Sequence, residues 1–278
     1  MKVIEQFLKS KTPNESDCED CLFISENFAA VIDGVTAKSN QKYANETSGR
    51  ACSQLIKKAL ENLPLNFSAY QAINFLTFSI FSKYKEMGID EHVQNFPSER
   101  ASACIAIYSK TKNEIWMVGD CQCRIDGTFY SNTKPIDTLL SDIRSLFIQT
   151  ELILGKSIET IQANDSGREF ITPLLNRQSV FQNSLDNTEF SYGVIDGFKV
   201  PDSEIKVIKL SQPTTIILAT DGYPCLFDTL VESERYLMKI LNDDPLCYRE
   251  FKSTKGLMPG NVSFDDRAFL SISLHPSS

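Results

Sequence analysis

The chain has 278 residues, a net charge of −8, a pI near 5.0, 42% hydrophobic residues and 23% charged residues. Such a chain buries a full core as one domain over 1–278 rather than two, and its composition is that of an ordinary globular protein. The acidic balance argues against a nucleic-acid or anionic-membrane partner, which needs a basic face, and no apolar run approaches the roughly 20 residues of a membrane span.

The opening MKVIEQFLKSK is too short and too charged for a secretory signal. With eight cysteines, that predicts free thiols in a reducing, cytoplasmic compartment. Cys18-x-x-Cys21 and Cys121-x-Cys123 lack a second ligand pair at zinc spacing, so they read as buried or incidental thiols. Only His92 and His275 are present, which gives poor support to a Ser-His-Asp triad or to histidine metal ligands.

Residues 1–11 read as an edge strand and 12–21 as an exposed acidic loop. Two short β-prone runs at 22–25 and 28–32 flank Glu26-Asn27, the spacing of a hairpin. That hairpin would bring Glu19 and Asp20 close to Asp33. The spacing of Ala44, Ser48, Ala51, Cys52, Leu55, Ile56 and Ala59 predicts a helix over 39–63. A second helix is predicted over 68–87, with Ser68 as N-cap and Gly88 as stop. Strands follow at 101–108 and 114–118, then a hairpin at 123–130 around Asp126-Gly127. Residues 136–156 have a helical pattern, and 131–190 as a whole reads as helices plus a mobile flap inserted in the domain. Strands are predicted again at 190–195, 205–210 and 214–220, a helix at 227–241, a loop at 252–264 and a final strand at 268–274.

One device recurs along this order. The apolar run FAAVI ends in Asp33-Gly34, IWMV ends in Gly119-Asp120, and TTIILAT ends in Asp221-Gly222. A carboxylate at the tip of a buried strand costs free energy unless it is paired or holds a metal. Gly34 lets the backbone turn and brings its carbonyl close to a ligand. Several such tips suggest one shared site. A further pair, Asp265-Asp266, stands just before the last strand.

These residues resemble the metal-dependent protein phosphatases of the PP2C-like (PPM) family. Glu19-Asp20 is similar to the family's early Glu-Asp pair. FAAVIDG is similar to its Asp-Gly motif, and IWMVGDCQCR to its Gly-Asp-Ser-Arg motif, with Cys121 and Gln122 departing. IILATDG is similar to its late Ser-Asp-Gly motif and Asp265-Asp266 to its terminal acidic pair. The resemblance implies an α+β four-layer sandwich, two antiparallel sheets with helices on both outer faces. It implies a signalling enzyme, acting as a monomer, that hydrolyses phosphoserine or phosphothreonine in a protein substrate. It also implies two Mg²⁺ or Mn²⁺ ions, an oxygen-ligand site suited to both metals. Two ions about 4 Å apart acidify a bridging water and neutralise phosphoryl oxygens. By resemblance, Asp33 bridges the ions, Gly34 offers its carbonyl, Asp221 and Asp265 hold one ion, and Glu19 and Asp20 act directly or through water. Asp120 with Asp221 would hold a weaker third ion, and Asp266 would orient its neighbour.

The chain departs from the family in two places. No arginine stands shortly before Glu19; Lys9 and Lys11 are the nearest upstream cations, and Arg100 and Arg124 are candidates for the phosphate grip. Asp33-Gly34 continues as Val35-Thr36-Ala37, without the histidine or glycine pair common in the family. A catalytically weak binding or regulatory module, or a phosphatase of a small metabolite, are the alternative readings.

Overall fold

The fold is a computed structural model that describes residues 1–35, 43, 46–132, 134–186, 188–211 and 214–274. Strand β1 (Lys2–Lys9) alternates in exposure as an edge strand does. Strands β2 (Cys21–Ile24) and β3 (Phe28–Gly34) form the first hairpin. Helices α1 (Ser48–Leu60), α2 (Ala69–Met87) and the short α3 (Asp90–Asn95) follow. Next come β4 (Ala103–Ser109), β5 (Glu114–Val118), β6 (Gln122–Ile125) and β7 (Thr128–Ser131). The middle of the chain is helical, with α4 (Pro135–Ile153), α5 (Ile158–Ala163) and α6 (Ser166–Arg177). Strands β8 (Lys206–Lys209) and β9 (Thr215–Ala219), helix α7 (Leu230–Asp243) and strand β10 (Arg267–Ser273) complete it.

The strands form two antiparallel five-stranded sheets, ordered β1-β10-β9-β6-β7 and β2-β3-β4-β5-β8. Side-chain parity assigns each face. In β4, Ala103, Ile105 and Ile107 face α1 and α2, while Cys104, Ala106 and Tyr108 face the other sheet. In β3, Phe28, Ala30 and Ile32 point to the helices, and Ala29 and Val31 point between the sheets. The inter-sheet core is closed from across by Ile216, Leu218, Ala268, Leu270 and Ile272. The outer face of the first sheet carries Ile217, Ala219 and Phe269, covered by Tyr223 and Leu226 from the segment before α7 and by Leu230 at its start.

The local signals explain the boundaries. Ser68 and Gln71 make a reciprocal capping box on α2, and Gly88 ends it in the left-handed conformation. At the β6–β7 turn, Asp126 and Gly127 have φ of 44° and 82°, the geometry of a two-residue hairpin of primed type. Two expectations are corrected. The helix expected over 39–63 begins at Ser48, because Thr47 caps it by accepting from Arg50 N (3.3 Å); residues 39–42, 44 and 45 lie outside the described set. The strand expected over 190–195 is no ladder. Ile195 makes a single bridge to Ala103, and the Asn183 side chain takes the place of a neighbouring strand for Val194, accepting from its N (3.1 Å) and donating to its carbonyl (2.9 Å).

Candidate metal centre

Antiparallel pairing brings the ends of β3, β5 and β9 and the starts of β2 and β10 to one end of the sandwich. Asp33 continues the parity of Ala29 and Val31, so the strand delivers it to the inter-sheet side. Asp120 follows Gly119, whose φ of 77° turns the chain out of β5. Asp221 comes just after β9. One carboxylate oxygen from each of Asp33, Asp120 and Asp221 lies within 4.8 Å of the others, a group that could hold a metal ion.

Two of these acids are buried among like charges. Burial pushes the Asp33 carboxyl well above the usual carboxylate range, and the charges of Asp20, Asp120 and Asp265 add to it. Asp221 is raised in the same way by burial, Asp33, Asp265 and Asp120. Asp20 is 3% exposed and raised by burial, then by Asp266, against a hydrogen bond from Thr220. Its Oδ2 has no hydrogen-bond partner among the described residues. An orphaned buried oxygen behind three clustered carboxylates is a donor set that fits a hard divalent cation.

Asp265 behaves differently. Burial disfavours its ionisation, yet Lys255 and Lys11 beside it hold the carboxyl below its usual range. Lys11 Nζ lies 3.4 Å from Glu19, 3.5 Å from Asp265 and 3.3 Å from Asp266. Burial works against its ammonium form, but these carboxylates raise its pKa overall. Asp266 is a staple, accepting from the backbone N–H groups of Lys11 (2.7 Å) and Glu19 (3.1 Å). Glu19 accepts from the Thr47 hydroxyl (2.6 Å), and its carbonyl accepts from Ser53 (2.5 Å).

A cavity of about 510 Å³ opens here, and Asp33, Gly34, Asp120, Asp221 and Asp265 line it. Glu19 and Asp20, each 3% exposed, sit behind its wall. The glycines next to the acids are there for close approach. A Cβ on Gly34 would lie 2.5 Å from the Gly49 carbonyl oxygen, and one on Gly222 would lie 2.8 Å from Arg267 Cβ and collide with the Asp266 carbonyl.

The two arginines considered for the phosphate grip are engaged elsewhere and do not line the cavity. Arg100 pairs with buried Asp196 (3.0 Å) and Arg124 with Asp228 (2.6 Å). The cations on the wall are Lys134, Arg168, Lys252 and Lys255. Sequence reasoning passed over them. Asp165, three residues before Arg168 and its helix cap, was the available signal. His92 pairs with Glu99 (2.8 Å) at the surface, and His275 lies outside the described residues, as do Thr36 and Ala37. Cys18, Cys21, Cys121 and Cys123 are all free and buried, as expected.

No family model matches the chain, and no curated protein does. Solved structures do. The Mycobacterium tuberculosis serine/threonine phosphatase PstP/Ppp is 16% identical, with 99% of this chain and 100% of that chain covered and a TM-score of 0.50. The Staphylococcus aureus serine/threonine phosphatase Stp1 is 13% identical, covering 98% of this chain and 94% of that one at a TM-score of 0.46. RsbX in complex with magnesium is 13% identical, covering 99% of both chains at a TM-score of 0.45. In its two antiparallel five-stranded sheets and the helices packed on them, this chain has the PP2C-type phosphatase fold.

Proposed function

We propose that the chain is a metal-dependent phosphatase that hydrolyses phosphoserine or phosphothreonine in protein substrates. The observation that carries this reading is the convergence of Asp33, Asp120 and Asp221 from three strand ends onto one cavity wall. In the reaction a water oxygen bonds to phosphorus, the bond to the seryl or threonyl oxygen breaks, and inorganic phosphate and the free alcohol leave. Two Mg²⁺ or Mn²⁺ ions would supply an acidified water and charge neutralisation. Asp33, Asp221 and Asp265, with the Gly34 carbonyl, would hold them. Glu19 and Asp20, buried behind the wall, would support the site directly or through water. Asp120 and Asp221 would hold a weaker third. Asp266, with both oxygens occupied by Lys11 and Glu19, acts by fixing the loop that carries its neighbours.

The test is hydrolysis of p-nitrophenyl phosphate and a phosphothreonine peptide with Mn²⁺, Mg²⁺ or EDTA, in wild type, Asp33→Ala and Asp221→Ala. Metal-dependent turnover abolished by both substitutions is the expected result. Metal binding without turnover on either substrate would overturn the enzymatic reading in favour of a binding module.

A further inference from the structure

A phosphate dianion entering this cavity meets Asp33, Asp120, Asp137, Asp142, Glu204, Asp221 and Asp265 on its walls. A protein cation must face it if the metal ions are not to carry the whole charge. Three of the four wall cations are already neutralised. Lys134 pairs with Asp137 (2.8 Å), Lys252 with Asp142 (2.7 Å) and Lys255 with Asp265. Arg168 is the exception. Its Nη1 donates to the Thr254 carbonyl (2.6 Å), and no carboxylate lies within ion-pair distance of it among the described residues.

The guanidinium also stands on a rigid base. Nearby, fully buried Arg144 binds Asp165 through two nitrogens (2.6 and 3.1 Å) and donates to the carbonyls of Cys247 (3.2 Å) and Ser253 (2.9 Å). Asp165 in turn caps α6 by accepting from Arg168 N (2.8 Å). A Cβ on Gly167 would lie 2.9 Å from Ile148, so α6 is pressed onto α4 at this turn. Burial and the neighbouring charge of Arg144 make the Arg168 cation less favourable than usual. A bound anion relieves that.

We propose that Arg168 grips the substrate phosphate, a role that rests on the phosphatase reading above. A guanidinium with open N–H groups matches phosphate oxygens in a fork that lysine cannot reproduce.

The experiment compares wild type, Arg168→Met and Arg168→Lys, each loaded with Mn²⁺. Binding of radiolabelled inorganic phosphate is measured by equilibrium dialysis, Mn²⁺ affinity by calorimetry, and turnover with p-nitrophenyl phosphate. Arg168→Met is expected to weaken phosphate binding and raise KM by about 10- to 100-fold, with Mn²⁺ affinity unchanged and part of the loss restored in Arg168→Lys. If Arg168→Met does not fold, a weakened phosphate affinity in Arg168→Lys supports the same assignment. Unchanged phosphate affinity in an active enzyme overturns the role of Arg168 alone. An equal loss of Mn²⁺ affinity also overturns it, since that marks a structural role. A wild type that neither binds phosphate nor turns over overturns the phosphatase reading, and this proposal falls with it.

Discussion

Asp265 has two oxygens and both are engaged. Oδ1 accepts from Asp266 N (3.0 Å) and faces Lys11, and Oδ2 meets Lys255. A divalent ion attracted to Asp265 therefore works against an ammonium a few ångströms away. Removing that charge in Lys255→Met should tighten Mn²⁺ binding, by about 3- to 10-fold at the screening of a cavity open to water. Calorimetric titration reads this directly, and weaker binding in the variant would contradict it. Asp266 poses a different question, because it holds two backbone N–H groups and part of the Lys11 charge. Asp266→Ala leaves the two backbone N–H groups without their acceptor in a buried setting and takes one of three carboxylates from Lys11, and should destabilise the fold by about 3–5 kcal/mol. A urea melt of the metal-free variant measures it without recourse to activity.

At the scale of elements, the helical middle of the chain is fastened by Arg144. The sequence suggested helices plus a mobile flap over 131–190, since its stretches NDSGRE and DNTE are polar and irregular. The helices are there as α4, α5 and α6, and side-chain bonds dock α6 on α4 and tie both to the loop at 247–254. Arg144→Met should destabilise the protein by about 3–5 kcal/mol, because it strands Asp165 as a buried unpaired charge. Hydrogen exchange in the variant should rise first in α5, α6 and the 247–254 loop; uniform exchange across the domain would refute this local fastening. What was legible and what was not divides along the same line. Hairpins at Glu26-Asn27 and Asp126-Gly127, the capped α2 and the three Asp-bearing strand ends were readable because each signal is local: parity, a turn dipeptide, a cap. Arg144 shares the buried stripe of Leu140 and Ile148, where an arginine is anomalous, yet its partners lie about 20 and 100 residues away. Residues 190–195 looked like a strand by parity, but they make only isolated bridges at Tyr192 and Ile195, with the Asn183 side chain pairing Val194 between them, and no pattern in a single sequence announces that. Lys11 was visible only as a nearby cation. Its place among three carboxylates comes from the pairing of β1 with β10.

For the molecule as a whole, the acids at the site make stability depend on pH and on metal together. Asp20, Asp33 and Asp221 have carboxyls raised in the folded state. Such groups favour the fold below their unfolded values near 4, and that contribution is lost as pH rises through the folded values. Asp265, held low, contributes in the opposite sense: it favours the fold at neutral pH and that is lost as pH falls. Asp265 is held below its usual range and stays ionised from pH 5 to 8, so over that window the raised acids decide the sign and the metal-free protein should melt at a lower temperature at pH 8 than at pH 5. Added Mn²⁺ should raise the melting temperature more at pH 8 than at pH 5, and EDTA should reverse it. Equal shifts at the two pH values, read by scanning fluorimetry, would show that these acids do not receive the ion.

The order β1-β10-β9-β6-β7 has a kinetic consequence. β10, the last strand in sequence, is inserted between β1 and β9, with Phe7 opposite Phe269 and Ala219 opposite it on the other side. The first sheet cannot close until that strand arrives, and Asp265 and Asp266 arrive with it. Contacts this distant along the chain make folding slow. A polypeptide still emerging from the ribosome therefore carries the early acids with no assembled site, and metal affinity should appear abruptly, late in refolding, in step with the burial of Phe269.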